Sequence, residues 1–156
     1  MNIVENEFFR QMTALICISI DLETALQRSR NYLVKYMPVD SIFLHLYEKS
    51  MGAIRTITEV KAGETRTMEK ITPLTREGRN SFEKPGVPNV RIVNRPETDP
   101  VIKKIAESFK MPNSSALVMR LVIEGERLGS LTLTADGKDR YEEQHARLLS
   151  LLNEPC

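Results

Sequence analysis

The sequence predicts an α+β fold, a meandering antiparallel sheet flanked by helices, and three observations point to it. Apolar residues recur at helical spacing at both ends of the chain. The spacing changes to period two over Ser41–Glu48. Two apolar strands, Ser115–Ile123 and Arg127–Ala135, are separated only by Glu124-Gly125, a tight hairpin turn in which glycine supplies positive φ.

Taken in order, Glu5–Ile18 sets Phe8, Met12, Leu15 and Ile16 on one helical stripe. A break at Ser19-Ile20 follows, with Asp21 as N-cap of a second helix whose stripe is Leu22, Leu26, Ser29, Leu33, Tyr36 and Met37, and which Pro38 stops. Ser41–Glu48 alternates Ile42, Leu44 and Leu46 with Phe43, His45 and Tyr47; Lys49–Gly52 turns the chain into a second strand, Ala53–Val60. The middle is weakly patterned, with a short strand at Met68–Thr72, a short helix at Thr75–Glu83 and a loop at Lys84–Pro88. A strand at Val90–Asn94 comes next, then a helix to about Phe109 that Asp99 caps, with Pro100 in its first turn. After the hairpin, Asp139 and Glu142 form a capping-box-like start to a last helix striped by Tyr141, Leu148, Leu149 and Leu152. No repeat or linker divides residues 1–156, so one domain is expected.

Composition narrows the function classes. The formal net charge is +1, with acids and bases interleaved, which disfavours the clustered basic footprint of nucleic-acid binding. No apolar run is long enough to span a bilayer and the first residues lack a secretion signal, so a cytoplasmic location without membrane contact is expected. The two cysteines, Cys17 and Cys156, suggest neither a disulfide framework nor a metal site, and Cys17 has no neighbour in sequence that would make it a reactive thiol.

The order of elements, together with Ser115–Leu133 and its Gly129-Ser130-Leu131, resembles the GAF family, whose final hairpin carries Gly-x-Leu in its second strand; Asp40–Glu48 looks like the family's first strand. A narrower similarity, to the N-terminal GAF domains of sigma-54-dependent transcriptional activators, rests on Ile42–Tyr47, Val90–Pro100 and Leu148–Leu152. That resemblance implies a central sheet with N- and C-terminal helices on one face and a loop and short-helix region on the other. It also implies a sensor excised from a longer regulator, attached to an ATPase and a DNA-binding output. The chain itself has no Gly-x-x-x-x-Gly-Lys-[Ser/Thr] phosphate loop.

In such domains the pocket lies on the sheet face away from the terminal helices. The resemblance therefore places Ile42, Leu44 and Leu46 toward the helices, and Phe43, His45, Tyr47, Thr132 and Arg120 toward a pocket for a small-molecule effector. The competing reading makes the same residues a second core. His45 is expected to hydrogen-bond or to pack, with axial haem ligation as the alternative. Arg120 stands where the family often has proline, and either grips an anion or lies with its stem packed and its head in water. No cofactor is assigned. The middle region lacks the cysteine of tetrapyrrole-binding members, the chain lacks the several cysteines of the methionine sulfoxide reductase branch, and the cyclic-nucleotide signature is absent. Homodimerisation through Phe8, Phe9, Leu148, Leu149 and Leu152 is expected. Three readings follow: a regulatory sensor, a ligand-free interaction module and, last, an enzyme, for which the sequence offers no nucleophile–base or metal constellation.

Overall fold

The computed structural model describes residues 19–84, 89–111, 113–123 and 125–151. The expected first helix, Phe8, Phe9, Cys17, Leu152 and Cys156 lie outside the described residues. The architecture is a six-stranded antiparallel sheet in the order β3-β2-β1-β6-β5-β4. Its strands are β1 (Ser41–Glu48), β2 (Ala53–Lys61), β3 (Glu64–Pro73), β4 (Val90–Val93), β5 (Ser114–Ile123) and β6 (Glu126–Asp136). Among the described residues four α-helices accompany it: α1 (Ser19–Leu33), α2 (Arg76–Glu83), α3 (Lys103–Ser108) and α4 (Glu143–Ser150).

One face of the sheet carries the main core. Leu22, Leu26 and Leu33 of α1 and Ala146 and Leu149 of α4 meet Ile42, Leu44, Val60, Leu117, Met119 and Leu133 from the strands. Burial of this many branched side chains, each contributing about 1.5–3 kcal/mol, holds the terminal helices to the sheet. Two polar ties fix the α4 end. The Tyr141 hydroxyl donates to the Pro38 carbonyl, and the Asn94 amide exchanges hydrogen bonds with the backbone of Tyr141. The opposite face, called distal below, is covered by α2 and α3, with Ile54, Leu74 and Phe82 in one cluster and Val93, Ile102 and Ala116 in another.

Several expected boundaries move. The helix already runs through the predicted break at Ser19-Ile20 and includes Asp21, so Asp21 is not its N-cap. It ends at Leu33, which leaves Tyr36 exposed instead of on the stripe. The short strand at Met68–Thr72 is the end of a ten-residue edge strand, β3, turned from β2 at Gly63 (φ 67°). Its pattern is faint because only Thr72 in it is buried. The helix after Asp99 starts later, at Lys103, yet Asp99 does cap the preceding turn by accepting from the amides of Val101 and Ile102. For α4 the N-cap is Glu142, whose amide donates to His145 Nδ1, whereas Asp139 sits earlier at positive φ. Thr75 caps α2 as its side chain accepts from Gly78 N at 2.9 Å.

Two bulges decide which side chains face which way. Between β1 and β2 the register steps from Leu44↔Thr58 to His45↔Thr56, so Ile57 is extra. Val60 therefore joins the helix-side core while Ile54 and Thr56 face distally. Between β5 and β6 it steps from Leu121↔Gly129 to Val122↔Arg127, which makes Leu128 extra and turns Arg127 to the distal face. At Gly129 the two central strands crowd: a Cβ there would lie 1.9 Å from the His45 carbonyl oxygen. Gly129→Ala must force β6 from β1, and is expected to lower the unfolding free energy by about 3 kcal/mol or more, read as a fall in denaturation midpoint at unchanged slope.

Candidate functional site

Strand alternation on β1 projects Phe43, His45 and Tyr47 onto the distal face, and antiparallel pairing sets Thr132 opposite Phe43 and Ser130 opposite His45. On the next strand Val118 is opposite Thr132 and Arg120 opposite Ser130. Four of the five predicted residues thus converge in the centre of that face. The fifth, Tyr47, stands toward its end, stacked on Phe82 with ring centroids 4.7 Å apart and donating to Glu83 at 2.7 Å. Burial and the Glu83 carboxylate push its phenol up to about 12. Ile42 and Leu44 face the helices as expected, and Leu46 is half-buried.

Two small cavities open between the sheet and its cover. The first, of about 20 Å³, is lined by Phe43, His45, Ile102, Phe109, Ala116 and Thr132 among others. Phe43 and Phe109 pack at 4.9 Å and the His45 ring stacks on Phe43 at 5.8 Å, so aromatic rings occupy most of this region. The space suits about one water molecule. As folded it does not accommodate a haem, so axial ligation by His45 does not fit. His45 is instead wholly buried, with Nδ1 2.7 Å from Thr56 Oγ1, and burial pushes its pKa down to about 3. The ring is neutral at ordinary pH.

The second cavity, also about 20 Å³, has a different chemistry. Ser81 and Phe82 of α2, Ile102 and Ile105 near α3, Arg91 of β4, Arg120 of β5 and Arg127, Ser130 and Thr132 of β6 line it. Arg91 pairs with Asp99 at 2.7 Å. Arg127 donates to the carbonyls of Ser81 (2.8 Å) and Gly129 (3.3 Å), and its guanidinium lies 4.2 Å from the centre of the Phe82 ring. Burial, followed by the charges of Arg120 and Arg91, pushes the Arg127 pKa down to about 10. Arg120 is half-buried with a shielded Nε, so its head does not simply lie in water.

Sequence reasoning missed Arg91, Arg127, Ser130 and Phe109. Arg127 in particular precedes the Gly-x-Leu segment, and simple alternation would have placed it on the helix side. Among the described residues no group of three or more His, Cys, Asp or Glu is placed to hold a metal, and no helix is long and apolar enough to cross a membrane.

The buried neutral imidazole makes stability depend on pH. In the unfolded chain His45 takes up a proton near its ordinary value of about 6.5, while the folded chain resists protonation down to about 3. Stability from this site is therefore complete above about pH 6.5 and is lost as pH falls toward 3. Between about pH 7 and pH 5 the loss is expected to be about 2 kcal/mol by denaturant titration, and the difference should vanish in His45→Gln.

No protein-family model matches the chain, and no curated protein matches it in sequence. Solved structures do match in shape. The GAF domain of a phosphoenolpyruvate-protein phosphotransferase from Coxiella burnetii superposes with a TM-score of 0.59 at 16% identity, covering 95% of this chain and 87% of that one. A free methionine-R-sulfoxide reductase from Neisseria meningitidis, solved with its substrate, gives 0.59 at 16% over 95% and 83% of the two chains. A red/green cyanobacteriochrome in its red-light-absorbing state gives 0.63 at 13% over 85% and 88%. With a six-stranded antiparallel sheet, helices on both its faces and these neighbours, the fold of this chain is that of the GAF domain.

Proposed function

We propose that the chain is a regulatory sensor domain that receives a small molecule on the distal face of its sheet and passes the event to an attached output. The observation that carries this reading is the charged wall beneath α2 and α3, where three arginines of adjacent strands border one cavity. A face that served packing alone would gain more from apolar side chains than from guanidiniums. The cover is thin, an eight-residue and a six-residue helix, and the enclosed space is small. An effector larger than a few atoms therefore displaces α2 or α3, and this displacement is the differential binding that a switch requires.

The output in this proposal is the ATPase and DNA-binding portion of a sigma-54-dependent activator, supported by the similarity of Ile42–Tyr47 and Val90–Pro100 to such sensors. Regulation, and not catalysis, is proposed even though reductases share the fold, because the described residues that line the cavity are arginines, hydroxyl-bearing and apolar side chains, with no cysteine among them. Self-association is part of the same proposal, with one change of surface. Leu149 is 1% exposed and belongs to the core, so it cannot serve a dimer. Leu148 (44% exposed) and Leu151 (54%) instead border a surface groove with Tyr36.

A second reading, the ligand-free interaction module, draws on the aromatic filling: the Phe43–Phe109 pair and the Tyr47–Phe82 stack leave little room. A thermal-shift screen of neutral and charged metabolites separates the two. A sensor gains roughly 2.7 kcal/mol at a hundredfold excess of ligand over Kd, seen as a higher Tm. If no compound moves Tm, the interaction module replaces the sensor. Light scattering should show a dimer that Leu148→Glu with Leu151→Glu converts to monomer; a wild-type monomer at every concentration removes the dimer from the proposal.

A further inference from the structure

We infer that the first cavity is a binding site for an uncharged monocyclic aromatic ligand carrying a hydrogen-bond acceptor, whose place the Phe109 ring holds in this structure; this rests on the sensor reading above and names its ligand class. Three groups are arranged about that ring. Phe43 packs against it at 4.9 Å and an angle of 56°, the His45 ring lies 6.1 Å away at 55°, and Lys70 Nζ stands 4.6 Å from its centre. Tilted rings and a cation over the face are the placements that an aromatic quadrupole favours. Ile102, Ala116 and Thr132 line the same space.

The ring is an occupant of this site and not part of its frame. Phe43 and His45 belong to β1 and Lys70 to β3, whereas Phe109 follows the last turn of α3 and is half-buried, so it can leave without moving a strand. The next residue, Lys110, is held at φ 53°, a left-handed backbone that a residue with a side chain adopts at a cost, so the turn that seats Phe109 stores strain. The free space, about 20 Å³, is far below the roughly 150 Å³ that admits a benzene ring, so a ligand ring enters only as the Phe109 ring departs. The ligand then regains the same contacts with Phe43, His45 and Lys70. A saturated ring fills the volume but does not engage the Lys70 charge. The Lys70 ammonium carries three donors, of which one reaches the Ser108 carbonyl at 2.6 Å, and an acceptor on the ligand takes another. A charged ligand would lose its hydration in a lining that is mostly carbon, with His45 kept neutral by burial. Expulsion of Phe109 removes one of the contacts that hold α3, which ties binding to movement of the cover.

The test is a titration of the full chain with benzamide and, separately, with its saturated counterpart cyclohexanecarboxamide, read by Tm and calorimetry. Saturable binding of benzamide is expected, with cyclohexanecarboxamide at least about tenfold weaker. Phe109→Ala should bind benzamide at least about tenfold more tightly than wild type, because no ring of the protein competes for the site. A residue that merely packed beside the ligand would move affinity the other way. If Phe109→Ala fails to unfold cooperatively, nuclear Overhauser contacts in the wild type decide: bound benzamide should show contacts to the Phe43 ring, and those between Phe43 and Phe109 should fade. No saturation with benzamide, equal binding of the saturated amide, unchanged or weaker affinity in Phe109→Ala, or a Phe43–Phe109 contact that persists at saturation overturns the inference. Should another compound of the screen bind while benzamide does not, the aromatic site falls and the sensor stands; should nothing bind, both fall.

Discussion

β1 and β6 approach each other at Gly129 more closely than any side chain there would permit, and the layout of both sheet faces follows from that contact. With glycine at this position the ladder continues from Ser41↔Thr134 to Leu46↔Gly129 without interruption. That register puts a hydroxyl opposite each distal residue of the first strand's centre: Thr132 across from Phe43, Ser130 across from His45. On the other face it stacks Leu131 and Leu133 against Leu44 and Ile42, where α1 and α4 cover them. A single close backbone approach thus aligns the apolar core and the polar face at once.

The two faces differ in what their burial demands. On the helix side the side chains are aliphatic, and area removed from water suffices. On the distal side buried Thr56, Thr132, Ser130 and His45 each carry polar atoms that need partners. His45 finds Thr56, and Thr72 finds Ser108 near the end of α3. Lys70 extends from the edge of the sheet to the Ser108 carbonyl and lies over the Phe109 ring. Polar bonds of this kind, together with the apolar contacts of Ile105, Ala106 and Phe109, hold the six-residue α3 against the sheet.

The division of labour between the cavities has the same origin. Around Phe43, His45 and Phe109 the rings pack on one another, and the residual space is enclosed mainly by carbon. Around Arg91, Arg120 and Arg127 the neighbours include hydroxyls, carbonyls, the Asp99 carboxylate and one aromatic face. The two environments share Ile102, Ile105 and Thr132 as a common wall.

Period two along Ser41–Glu48, the glycine turn after Ile123 and the helical stripe from Leu22 were sufficient in the sequence to determine the α+β class, the boundaries of β1, the strands of the last hairpin to within one residue at each end, and the facing of Ile42 and Leu44. These signals are local, and local spacing survives in one dimension. The ten-residue β3 was mostly hidden because an edge strand with a single buried residue carries almost no hydrophobic period. Only the tertiary structure decided where Arg127 points, since a bulge is set by how two strands pair and not by either alone. The meeting of Arg91, Arg120 and Arg127 across three strands has the same cause: positions far apart along the chain become neighbours through sheet order, which residue spacing does not encode.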